Sequence, residues 1–145
     1  MNPIFPDGSK LMIKPLAGSE FVEVIGFDGL GGKLSADGTL KNDTTLSDAG
    51  QVYGASSKKD GGERSIVCRL DATGSDPGHA ECAKAADDNQ ERELQVKIGT
   101  SGKHIPFKAV FADWGVGEID EEKSLRMIGK IGVNFWGKLT NDAAE

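Results

Sequence analysis

Two alternating runs near the end of the chain, residues 105–111 and 125–135, constrain the fold more than any other feature. In the first, Ile105, Phe107, Ala109 and Phe111 occupy the odd positions; in the second, Leu125, Met127, Ile131, Val133 and Phe135 do so. The positions between them are mostly polar or small. Period-two spacing puts these side chains on one face of a strand. Two such strands joined by an acidic turn predict a long hairpin that covers a core on one side. Its other side is left for solvent or for another subunit.

The rest of the chain agrees with a mainly β (α+β) fold. Twenty glycines and frequent turn signals favour many short strands and loops. A chain of 145 residues is expected to form one domain over 1–145, and it is long enough for a self-sufficient core. The formal net charge of −6 argues against a nucleic-acid binder, because such binding needs clustered Lys and Arg to displace counterions. Lys58-Lys59 is the longest basic run. No apolar run approaches the ~20 residues of a membrane span. Residues 1–6, Met-Asn-Pro-Ile-Phe-Pro, lack the basic and apolar regions of a secretory signal, so a cytoplasmic site of folding is expected. Cys68 and Cys82 are too few for a disulfide framework or a zinc cage and read as buried thiols.

Along the chain, residues 1–10 read as an extended arm and 10–14 as a short strand. Residues 21–27 read as a firm strand with apolar residues on both parities, which suggests burial on both faces. Residues 29–53 are polar and rich in Gly, Asp, Thr and Ser, with turn signals at Asp37-Gly38 and Asn42-Asp43. A segment this long without structure of its own is uncommon unless functional or disordered. Thr39, Leu40, Thr44, Thr45 and Leu46 are compatible with strands, so a protruding two-stranded arm is expected. An isolated hairpin is marginal in water and needs a partner surface. Ile66, Cys68 and Leu70 then point inward from a strand at 63–71. Asp76-Pro77 opens a helix running to about residue 89, since Asp caps orphan N–H groups and Pro fits the first turn. Its apolar face comprises Cys82, Ala83 and Ala86, with His79. Leu94, Val96 and Ile98 face inward from the next strand, and the polar tail 140–145 is expected to fray.

The chain offers little chemistry. His79 and His104 neighbour no Ser or Cys in a recognised nucleophile setting, so no catalytic residue is assigned and no enzyme is expected. Asp113, Glu118, Asp120, Glu121 and Glu122 lack the calcium-loop pattern and read as a solvated strand connection. Gly29-x-Gly31-Gly32 lacks the third spaced glycine and the helix of a phosphate-binding turn. Neither a cofactor nor a metal is expected.

The succession of a strand at 21–27, a polar arm containing Thr44-Thr45-Leu46-Ser47-Asp48, Asp60-Gly61-Gly62 before the next strand, a helix, and a terminal hairpin resembles a known family. That hairpin runs from Pro106-Phe107-Lys108-Ala109-Val110-Phe111 to Lys130-Ile131-Gly132-Val133-Asn134-Phe135-Trp136-Gly137. Over roughly residues 20–140 the chain resembles the major tail tube protein of long-tailed bacteriophages with non-contractile tails, part of a superfamily that includes type VI tubes. The resemblance implies an antiparallel two-sheet β-sandwich or partial barrel with one flanking helix, at about 76–89, and a long arm, at about 29–53. It implies hexameric rings stacked into a hollow tube, whose partners are copies of the chain, a tape measure protein, tail tip and terminator proteins, and transient phage DNA, with no membrane. The location it implies is the virion, after assembly in the host cytoplasm. Subunit contacts are then expected at Asn2, Ile4, Phe5, Thr39, Leu40, Thr44, Thr45, Leu46, Asp48 and Tyr53, with the hairpin edges. Two other readings stay open: a related component such as a tail terminator, head decoration protein or type VI tube subunit, and a stand-alone sandwich binding carbohydrate or metal through residues 113–122.

Overall fold

The computed structural model describes residues 7–42, 44–45, 49–70, 73–117, 119 and 124–142. In order, the elements are β1 (Lys10–Lys14), β2 (Val22–Val24), β3 (Phe27–Leu30), β4 (Asp37–Asn42), β5 (Tyr53–Asp60), β6 (Glu63–Arg69), α1 (Pro77–Asp88), β7 (Arg92–Lys97), β8 (Lys103–Phe111), β9 (Gly115–Val116), β10 (Arg126–Trp136) and β11 (Thr140–Asn141). The main sheet is antiparallel in the order β2-β1-β7-β8-β10-β6-β3, with β9 and β11 added to β10 and β8. β4 and β5 form a separate two-stranded sheet.

β2 and β3 are consecutive in the chain yet lie at opposite ends of the main sheet. Six interstrand spacings would hold them about 28 Å apart in a flat sheet. Only Ile25 and Gly26 separate the two strands, and the three steps from Val24 to Phe27 span at most about 11 Å. The sheet therefore curls over on itself into a sandwich-like shape, without closing into a barrel. Where residues 21–27 read as one strand, the structure breaks at Gly26. Its φ of +79° is open to glycine at little cost, and a Cβ there would lie 2.9 Å from Arg69 Cβ.

Alternation fills the interior as the sequence predicts. Leu94, Val96, Phe107, Ala109, Phe111, Ile131 and Val133 are buried, joined by Leu11, Ile13, Val24, Ile66 and Cys68. Leu125 and Phe135 are exceptions, at 36% and 54% exposed. The β8–β10 register shifts between Val133 and Phe135, so two residues of β10 oppose one of β8. This bulge reverses the parity of everything beyond it. Trp136 takes the inward place instead, opposite Phe107 with ring centroids 4.8 Å apart.

Helix α1 starts where the sequence places it. The Asp76 carboxylate caps it by accepting from the His79 N–H (3.1 Å), and Asn89 ends it in the left-handed region at φ 55°. The apolar face is shifted from the expected one. Cys82 and Ala85 are buried and Ala86 is half-buried, but Ala83 is exposed, because the helix rolls to place Glu81 against Arg92. Arg92 is 2% exposed; its Nε donates to Glu81 Oε1 (2.8 Å) and its guanidinium to Asp88 Oδ2 (2.7 Å). A buried guanidinium needs partners of this kind. Hydrogen bonding from Arg92 holds the Asp88 carboxyl below its usual range.

Both cysteines are buried free thiols. Burial pushes Cys68 up to about 12, with smaller contributions from Asp76 and Asp28, and raises Cys82 further. A thiol held protonated is a poor nucleophile. Native protein at pH 8 should therefore leave Ellman's reagent uncoloured, and both thiols should titrate after denaturation. A rapidly reacting thiol in the folded protein would contradict this packing.

The polar tail is more ordered than expected. Thr140 and Asn141 pair with His104 and Lys103, and Asp142 Oδ1 lies 2.8 Å from His104 Nδ1. β8 runs past the end of its pairing with β10, and its free edge there takes up the returning chain. Residues 143–145 lie outside the described residues, as do 1–6 of the expected N-terminal arm.

Candidate assembly interface

The arm projects from a root that is bolted to the sheet. Arg64 on β6 donates to the carbonyls of Lys33 (3.0 Å) and Ser35 (3.4 Å), and its guanidinium lies over the Trp136 ring at 5.9 Å. On the other side, Trp136 Nε1 donates to Gly61 O (2.9 Å) and Val133 N to Gly62 O (3.0 Å). Gly61 fits so closely that a Cβ would stand 2.0 Å from Val133 O. The base of the arm is thus fixed by the bulged end of β10.

Beyond the root, β4 and β5 pair with one another and with no strand of the main sheet. The eight residues of β5 extend about 27 Å at strand rise. Asp37-Gly38, which reads as a turn signal, instead opens β4, with a register shift between Gly38 and Leu40. The second strand of the arm is 53–60, beyond the expected limit of the arm at about 53, with Leu40 paired to Ala55 and Asn42 to Tyr53. This register places Leu40, Asn42, Tyr53 and Ala55 on one face. Leu40 is 71% and Tyr53 57% exposed, so an apolar face stands in solvent. Ala55 lies on this face and Val52, 42% exposed, just before it, although sequence reasoning did not single them out. Little in the sequence could have found them, because β5 (YGASSKKD) has few apolar residues to alternate.

Of the expected contact residues, the structure brings Leu40, Thr44 and Tyr53 to this arm. Thr44 ties its loop down: Oγ1 accepts from Val52 N (2.8 Å) and its own N–H donates to Asn42 Oδ1 (3.0 Å). Tyr53 OH donates to Gln51 Oε1 (2.5 Å). Thr45 is exposed beside them, and Thr39 lies on β4 with its side chain outside what is described. Asn2, Ile4, Phe5, Leu46 and Asp48 lie outside the described residues.

Other candidates are structural in their surroundings. His79 Nε2 donates to Ile25 O (2.6 Å), and His104 engages Asp142. Among the described residues no group of three or more His, Cys, Asp or Glu side chains is gathered as a metal site; Glu118, Asp120, Glu121 and Glu122 are outside them. No described helix is long and apolar enough to cross a membrane.

The outward face of the main sheet carries many cations, including Lys108, Lys130 and Arg126, on an acidic chain. Several are matched on the spot. Lys10 lies 3.5 Å from Glu23, Lys14 3.5 Å from Glu93, Lys130 3.5 Å from Glu63, and Arg126 3.1 Å from Asp28. Lys108 sits opposite Glu93 in the β7–β8 register. Exposed pairs of this kind contribute little stability. Their effect is to leave the face without a run of unopposed positive charge.

The fold is thus a curled antiparallel sheet with one helix on its seam and a projecting hairpin. No protein-family model matches the chain, and no characterised protein matches it by sequence. Solved structures do share its fold. A chain of the anti-feeding prophage baseplate, seen by cryo-EM with six-fold symmetrisation, superposes with a TM-score of 0.65 at 8% identity, covering 99% of each chain. The SPP1 tail tube protein gives 0.64 at 8% identity over 98% of this chain and 81% of its own. A chain from the tail of an empty GTA particle, refined helically with C6 symmetry, gives 0.55 at 14% identity over 92% and 96%. The antiparallel β-sandwich with one helix is thus a fold that tail and baseplate chains use.

Proposed function

We propose that the protein is a structural subunit of a phage-type tail tube. It assembles as hexameric rings that stack into a hollow conduit for DNA, in the virion after assembly in the host cytoplasm, and it carries no catalytic residue. Copies of the chain are its main partners, with a tape measure protein inside the tube and tip and terminator proteins at its ends. The observation that carries this reading is the β4–β5 arm, rigid at its root, with Leu40 and Tyr53 exposed on one face and both strand edges unpaired by the main sheet. Such an edge pairs readily with another chain. Heterologous contacts that close give a ring, and axial contacts that do not close give a filament. The likeness to tail and baseplate chains, two of them from assemblies treated with six-fold symmetry, supports the same reading. So does the charge pattern: a wall with a net charge of −6 and paired surface cations offers phosphates few sites to displace counterions.

A second reading, a single-ring component such as a tail terminator, is favoured by the baseplate origin of one structural neighbour. Negative-stain electron microscopy of the concentrated protein separates the two. Tubes of stacked rings are the expected result, and isolated rings would favour the second reading. Monomers at every concentration would defeat both.

A further inference from the structure

A groove of about 610 Å³ opens at one end of the curled sheet, where β3 and residues 31–34 face the end of β7. Its apolar walls are Phe27, Leu30, Leu34, Val96 and Ile98, and its rim carries Asp7 and Asp28. Four of the five walls are only half-buried, although all belong to or pack on the core. The volume falls in the range of roughly 300–1,000 Å³ typical of sites that enclose a ligand. The groove follows all four residues of β3, which ends the sheet at this margin and pairs, among the described residues, with β6 alone. A strand laid there meets an open edge and an apolar floor together, which are the two needs of recognition by strand addition.

We propose that this groove receives the β4–β5 arm of a second copy of the chain, with Tyr53 as the anchor. The inference rests on the tube reading above and adds the place on a neighbour where the arm is seated. On its own molecule the arm stands clear. Tyr53 pairs with Asn42, roughly 16 Å along the strand from the root pair of Asp37 and Asp60, and both Leu40 and Tyr53 remain exposed. Each copy therefore presents an apolar knob and an apolar groove on different surfaces. Contact between two unlike patches is heterologous, so it repeats from copy to copy into a ring or a filament instead of stopping at a pair. The charges agree with this pairing. Beyond the root pair, the two strands of the arm contain Lys41, Lys58 and Lys59 and no carboxylate, and the groove has an acidic rim. Seating Tyr53 would bury an aromatic side chain of roughly 150–250 Å².

The test mixes two variants, Tyr53→Cys and Ile98→Cys, at a concentration where assemblies form, and oxidises them mildly. Neither variant holds both new thiols, and the native Cys68 and Cys82 are buried, so a mixed disulfide reports contact between copies. It should be about fivefold or more abundant than the product of Tyr53→Cys with Ala83→Cys, on the exposed side of α1, because proximity raises the effective concentration. Preferential linkage to Ala83→Cys would seat the arm elsewhere and overturn the proposal. In a second measurement, Tyr53→Ser and Ile98→Ala should each raise the onset concentration of assembly about tenfold, and the double variant little more than either, since both remove one contact. Tubes or rings that lack the mixed disulfide, or strictly additive substitutions, overturn this seat and leave the tube reading intact. Protein that stays monomeric at every concentration overturns both.

Discussion

Replacing residues 39–58 by Asn-Gly should yield a folded monomer that builds no tubes. Gly38 and Lys59 face each other across the β4–β5 register, so a two-residue turn can join them without disturbing the root. None of the core residues lies between them, and the thermal midpoint should move by no more than a few degrees. Assembly should change far more. Seating Leu40 and Tyr53 against a neighbour would contribute roughly 1.5–3 kcal/mol per side chain. Each 1.4 kcal/mol is about tenfold in association, and the loss recurs at every subunit of a ring. The paired substitution Leu40→Ser and Tyr53→Ser should accordingly shift the onset of tubes to much higher concentration. Electron microscopy and sedimentation across a concentration series read both results. Tubes formed normally by the trimmed protein would sink the role given to the arm.

The second large effect is expected at Gly78. Helix propensity alone favours Ala over Gly by up to about 1 kcal/mol. The structure demands the opposite sign, because a Cβ at Gly78 would stand 2.2 Å from Glu23 O and 2.7 Å from Val24 Cα. Those are backbone atoms of β2 and cannot swing aside. Helix α1 would have to lift, loosening the Asp76 contacts to Ile25 N (3.2 Å) and His79 N (3.1 Å) and the burial of Cys82 and Ala85. Gly78→Ala should therefore cost about 2–3 kcal/mol, and Gly78→Val more, in guanidinium unfolding. An exposed control in the same helix, Ala83→Ser, should stay within about 0.5 kcal/mol of the parent. A Gly78→Ala protein at least as stable as the parent would show that the close approach is not real.

Much of the fold was legible wherever one rule acted alone. Alternation identified β7, β8 and most of β10, and the Asp76-Pro77 cap located α1. Misreadings arose where tertiary geometry overrode a local pattern. Phe135 has the right parity for the core, but a bulge one residue earlier turns it outward. Residues 21–27 have the composition of one strand, yet curling the sheet requires a break at Gly26. The candidate site was half legible. The polar composition of 29–53 marked the arm, but β5 contributes few apolar residues to alternate, so its pairing with β4 left little trace in the sequence. The groove beside Asp7 left none, because its walls come from β3, the following loop and β7, far apart along the chain.

The two-residue link between β2 and β3 has a mechanical consequence. With opposite rims of the sheet held by Ile25 and Gly26, and that link clasped by Asp76 and His79, the molecule cannot unroll from a free margin. Tension along the strands must load whole ladders of hydrogen bonds in shear rather than peel them open singly. A wall made of such units would stretch little before it broke.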